Sequence, residues 1–228
     1  MDRLTIRSTV AELPAFDPDA DLASRDSLDS REMTSGFVYE GANLRSLDLN
    51  AVKLITGQVR EIRAARAEFT DVRMDSVEFS ACDFASLSWT ESKLSRVRFT
   101  NCKLLGAELK GLTLENVVFA NCKLDYAVLD RIKATGPVVF FGCSLAEAEI
   151  ESCDLSTAVF DGCSLRLTGF GRGTYHGCDL RGNDLSTVRG VTNLNRIAID
   201  QGQVLQLAEA LVAELQIEFP EDEERASS

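Results

Sequence analysis

Five cysteines, Cys82, Cys102, Cys122, Cys143 and Cys163, recur every 20 residues, with one extra residue between the third and the fourth. Thiolates are soft ligands for zinc or copper, and thiols on neighbouring strands can approach closely enough to form a disulfide. A metal, however, needs ligands that converge from several directions. Residues at one fixed interval form a line that brings at most two ligands near any point. Free Cys also serves as a small, weakly polar filler, and that is the role this regularity predicts, with no metal or cofactor. His176, the one histidine in the chain, has no base, nucleophile or second ligand in register with it and is read as a surface residue. Neither a nucleophile elbow, a phosphate loop nor a paired-carboxylate motif occurs, so the expectation is a protein that is not an enzyme.

The elements that position the cysteines emerge from a finer period. Each Cys follows a Phe by three residues, as in FSAC (Phe79–Cys82), FTNC (Phe99–Cys102), FANC (Phe119–Cys122), FFGC (Phe140–Cys143) and FDGC (Phe160–Cys163), with a looser copy in YHGC (Tyr175–Cys178). Beneath this lies a five-residue frame starting at Ala42, in which the third residue is large and apolar. Leu44, Leu49 and Leu54 begin that series, and Phe69, Met74, Phe79, Phe84, Trp89 and Leu94 continue it. After the insertion at Pro137 the frame resumes with Phe140, Leu145, Ile150, Leu155 and Phe160 and runs to Leu185. The first residue of each block is usually Ala, Cys, Val, Leu or Ser. Neither the 3.6 period of a helix nor the 2.0 period of a half-buried strand divides this pattern. A fixed long repeat implies one unit stacked on itself.

Blocks such as ANLRS (Ala42–Ser46), CKLLG (Cys102–Gly106), AELKG (Ala107–Gly111), CDLST (Cys153–Thr157) and CDLRG (Cys178–Gly182) resemble the pentapeptide-repeat family. The resemblance implies an all-β solenoid, a right-handed quadrilateral β-helix in which four pentapeptides make one square coil. The first and third side chains of each block would then point inward. About seven coils, stacked at strand spacing of roughly 4.8 Å, make a rod on the order of 35 Å long. The expected organisation is an N-terminal arm or cap over residues 1–36, the repeat over 37–187, a C-terminal cap with an amphipathic helix over 188–219, and a disordered acidic tail over 220–228. The helix is expected to open with Asp200 as N-cap and Gln203 three residues on, and to carry Val204, Leu207, Ala208, Leu211, Val212 and Leu215 at helical spacing.

The formal charge is −12, yet residues 42–187 hold 19 acids and 17 bases, so most of the acidity lies in the two ends. An acidic chain is a poor ligand for DNA or an anionic membrane. No apolar run approaches the 18 residues of a membrane helix, and an odd number of cysteines with no secretory leader pattern points to reduced thiols in a cytoplasmic protein. Sorting outward residues by side of the square exposes one acidic face: Asp48, Glu68, Asp71, Glu91, Glu108, Asp130, Glu149 and Glu151, opposed on that side by Lys110, Arg131 and Arg172. Val118, Val139, Phe141 and Val159 form an apolar patch on the side of the Phe ladder, expected either to be covered by the N-terminal arm or C-terminal helix or to dock a partner.

The resemblance extends to quinolone-resistance members of the family, which imitate duplex DNA, occupy the DNA-binding saddle of gyrase and often dimerise through C-terminal helices. For this chain it implies a protein-binding rod with DNA gyrase, a type II topoisomerase, as partner and a homodimer joined through Val204, Leu207, Leu211 and Leu215. The chain departs from the plasmid-borne members in having no long loop between coils, only the insertion at Pro137. The alternative is a structural or scaffolding module for an unrelated protein.

Overall fold

The computed structural model describes residues 2–16, 22–28 and 33–219. The chain winds into a square solenoid whose coils stack in parallel at a constant offset of 20 residues, so that Phe79 pairs with Phe99 and Trp89 with Leu109. Across Pro137 the offset is 21, as in Phe119 opposite Phe140, and beyond it the offset is again 20, as in Phe140 opposite Phe160. The inserted residue is absorbed at a corner and the register of the next coils is kept.

Four sides follow from the five-residue frame. In one coil they are centred on Phe79, Phe84, Trp89 and Leu94, and the first-position residues Val77, Cys82, Leu87 and Ser92 are buried with them. Between sides the chain turns through left-handed corners, for example Asp71 (φ 49°), Glu91 (φ 47°) and Asn101 (φ 54°). That conformation is unfavourable for a residue with a Cβ. Here it is offset by hydrogen bonds between coils, such as Ala81 N–H to Thr100 O and Asn101 N–H to Ala120 O, each 2.9 Å.

The core is a column of rings. Phe79, Phe99, Phe119, Phe140 and Phe160 lie face to face, with centroids 4.6–5.0 Å apart and planes within 11° of parallel. The spacing is that of the coils themselves, so the backbone ladder sets the stacking distance. Trp89 and Phe84 meet this column edge-on. At the first coil the frame is filled differently: Phe37 stands where later coils have Val, and the residue above it is Gly57, whose added Cβ would enter the Phe37 ring.

Stacking extends beyond 37–187 at both ends. Ala23–Ser24 pairs with Phe37–Val38 and Leu28 is buried in the core, while Asp179 pairs with Ala198 and Val188 is buried. A short 3-10 turn, Val191–Asn193, leads to helix α1, Gln203–Glu214. The expected cap is corrected in part. Gly202 is the N-cap, and the Asp200 carboxylate accepts instead from Gly182 N–H (2.9 Å). Gln203 does reach back to Asp200 N–H (2.6 Å), and its amide also donates to Leu180 O and Asn183 O. The helix thus lies on the last coil through Gln203, Leu207 and Ala210.

At the other end of the chain, strands β1 (Asp2–Ile6) and β2 (Thr9–Leu13) form an antiparallel hairpin turning at Arg7 (φ 55°). It lies on the outside of the Phe side, where Ile6, Ala11 and Leu13 pack on Val118, Ala120, Val139 and Val159. One strand column explains its position. The outward residues paired along this side read Gln58, Glu78, Arg98, Val118, Val139, Val159 and Asp179. Only the three consecutive valines offer a continuous apolar seat, and a hairpin with alternating Ile, Ala and Leu settles there.

Candidate functional site

The Cys column is part of the wall. Each thiol donates to carbonyls of the backbone, Cys102 to Phe79 O (3.6 Å) and Thr100 O (3.4 Å), Cys143 to Phe119 O (3.3 Å), with the same pattern at Cys82, Cys122 and Cys163. All seven cysteines are free and buried. Burial pushes the Cys153 thiol up to about 11 and the Cys178 thiol up to about 12, away from the thiolate that a nucleophile or metal ligand requires. An interior void lined by Trp89, Leu109, Phe119, Leu129 and Phe140 measures about 10 Å³, too small for more than one water. His176 is exposed.

The outer surface carries the remaining polar chemistry. The acidic side is a seven-stranded parallel sheet, with Asp48 opposite Glu68, Glu108 opposite Val128, and Val128 opposite Glu149 in register. All eight predicted carboxylates lie on or at the corner of this sheet. Five of them are engaged: Glu68 with Arg66, Glu108 with Lys110 (2.6 Å), Asp130 with Arg131 (3.2 Å), Glu149 with Arg189, and Glu151 with Arg172 (3.7 Å). Arg66 and Arg189 were absent from the sequence-based sorting. The first sits at the preceding corner, and the second in the last coil beyond the recognised repeat. Asp48, Asp71 and Glu91 are exposed and have no ion pair within 4 Å among the described residues. Free negative charge is therefore concentrated at the N-terminal half of the face, where three coils follow one another. The pairs at the other end are solvent-exposed and individually weak.

Of the two expectations for the apolar patch, cover or docking, the fold shows cover by the N-terminal arm. Val118, Val139 and Val159 are buried beneath the N-terminal hairpin, so they are not an open docking surface; Phe141, at 42% exposure, remains outside it. Sequence sorting identified the patch and left its cover open between the N-terminal arm and the C-terminal helix. The signal was present in the alternation of Leu4 and Ile6, while Val10, also in that alternation, faces solvent.

On α1 the four predicted dimer residues divide. Leu207 packs on the rod, Leu211 is half-buried, and Val204 and Leu215 are 58% and 55% exposed. Leu205, Ile217 and Phe219 extend this exposed apolar character to the end of the described chain.

A model of pentapeptide repeats, eight copies long, matches residues 78–116 and 92–131. These residues include Phe79, Phe99 and Phe119 of the ring column. Residues 78–131 are pentapeptide repeats. In backbone shape the rod is similar to a trypsin-treated variant of QnrB1, a plasmid-mediated fluoroquinolone resistance protein, at 19% identity and TM-score 0.49, covering 82% of this chain and 93% of that one. It is also similar to HetL, a pentapeptide-repeat protein involved in heterocyst differentiation regulation from the cyanobacterium Nostoc sp. strain PCC 7120, at 21% identity and TM-score 0.43, covering 69% and 76%. Full-length QnrB1 aligns at 16% identity and TM-score 0.40, over 82% and 94%. No curated protein matches by sequence. No helix among the described residues is long and apolar enough to cross a membrane.

Proposed function

We propose that this rod is a non-enzymatic protein-binding module whose acidic side engages a basic, DNA-binding surface of a protein partner, with DNA gyrase as that partner. The observation that carries the reading is the set of unpaired carboxylates on three successive coils, Asp48 on the flat side and Asp71 and Glu91 one above the other at its corner. Negative charge held on a rigid frame complements a surface built for phosphates. Glu68, Glu108 and Glu149 lie along the same sheet, and their exposed ion pairs can be exchanged for a partner's cations at little cost. The choice of gyrase rests on the resemblance of the repeat to quinolone-resistance family members.

The exposed Val204 and Leu215, with the half-buried Leu211, support a homodimer through α1. Light scattering on Leu211→Asp/Leu215→Asp compared with the unmodified chain tests it; equal masses remove the dimer. A gyrase supercoiling assay then tests the partner. Inhibition at micromolar protein is expected, and reversal of Asp48, Asp71 and Glu91 to Lys is expected to abolish it. Absence of inhibition by a confirmed dimer removes gyrase, and unchanged potency of the triple reversal removes the acidic side. A scaffold for an unrelated protein is favoured in that event by the exposed Leu205, Ile217 and Phe219.

A further inference from the structure

The hairpin β1–β2 is attached to the rod by means of a different kind from those that hold the coils together. The coils share continuous backbone ladders and one apolar core. The hairpin's own apolar cluster, Ile6, Ala11 and Leu13 on Val118, Ala120, Val139 and Val159, is separate from that core. Its backbone meets the rod through Glu12 N–H, which donates to the Asn116 side chain (3.0 Å). The remaining fastener is Arg7 at the turn. Its guanidinium donates to Asp161 (2.7 Å), Asp179 (3.1 Å) and the carbonyl of Arg181 (2.7 Å). Arg181 also grips Asp179 from the rod side (2.6 Å). A two-stranded hairpin alone is at best marginally stable in water, so β1 and β2 keep their shape by being docked.

We propose that the hairpin is a releasable strap, clasped at its tip by Arg7, that opens as a unit while the coils stay folded. Opening would uncover Val118, Val139 and Val159 beside the already exposed Phe141, a continuous apolar strip over successive coils. The clasp decides how often this happens, because Asp161 and Asp179 are joined to the hairpin by Arg7 alone among the described residues. The carboxylates and cations facing the clasp are Asp161, Asp179 and Arg181.

Hydrogen exchange read by mass spectrometry on the full chain tests this. Residues 2–13 are expected to exchange at least about 100-fold faster than the strand Thr113–Ala120, which lies directly beneath them, since sub-global opening needs less free energy than unfolding. Arg7→Ala is expected to raise the hairpin rate about tenfold further, the loss of charge-assisted hydrogen bonds, and to leave Thr113–Ala120 unchanged; Arg7→Lys should recover part of the effect. Equal rates for hairpin and strand would mean that the hairpin opens only when the rod unfolds, and would overturn the strap. So would an Arg7→Ala chain in which both segments exchange faster together.

Discussion

Phe99 is the position at which the ring column is best tested. Its side chain is 1% exposed and lies between Phe79 at 4.8 Å and Phe119 at 4.9 Å, with Trp89 edge-on at 6.0 Å. Truncating a buried Phe to Ala removes its transfer free energy and leaves a cavity, together about 3–5 kcal/mol. The cost depends on whether the walls can collapse into the space. Here the flanking rings are carried on coils tied by the backbone ladder from Lys93–Thr100 to its neighbours on both sides, so collapse along the axis is blocked. The lost ring pairs, each worth about 0.5–1.5 kcal/mol, are contained in that cost and place it high in the range. Phe99→Ala is therefore expected at the upper end, about 4–5 kcal/mol, and Phe99→Leu, which keeps most of the volume, at about half of that. Urea unfolding followed by far-ultraviolet circular dichroism measures both. A loss below about 1.5 kcal/mol for Phe99→Ala, or equal losses for Ala and Leu, would refute the argument that the stack is held at fixed spacing.

Two further outcomes follow from the core. Gly57→Val is expected to destabilise by at least about 3 kcal/mol, more than an ordinary overpacking substitution, because the new side chain enters the Phe37 ring in the first coil; thermal unfolding checks it, and an unchanged transition would show that Phe37 can move aside. Two of the buried thiols, Cys153 and Cys178, contribute to stability at alkaline pH. Cys153 and Cys178 keep their protons when folded, up to about 11 and about 12, and lose them near 9 when unfolded. The unfolded state thus releases protons first, and stability present below pH 9 should fall as the pH rises from 9 through 11–12. A urea midpoint that is constant from pH 8 to 11, or a decline unchanged in Cys153→Ala/Cys178→Ala, would count against this.

The interior of the rod was legible in the sequence because inward and outward positions are a local, periodic property of the backbone. Every five residues the chain repeats the same turn, so Phe79, Cys82, Phe84, Leu87 and Trp89 could be assigned to walls without knowing any contact. The single insertion at Pro137 shifted the count and left the walls intact. Tyr175 and Cys178 likewise fell inward despite the looser motif around them.

What tertiary structure alone decided lies outside that period. Arg66 and Arg189 neutralise Glu68 and Glu149 because corners and coils bring them near, one two residues away and the other 40 residues on. Arg7 reaches Asp179 across 172 residues, and the hairpin that carries it covers three valines otherwise readable as an open patch. Asp200 has the residue type of an N-cap, but its carboxylate goes to Gly182 N–H in the preceding coil. An outward side chain has several partners within reach of its length, and for Arg189, Arg7 and Asp200 the one it takes is fixed by the placement of other coils. Periodicity determined which side chains face the core, whereas folding determined which surface charges and apolar groups remained free.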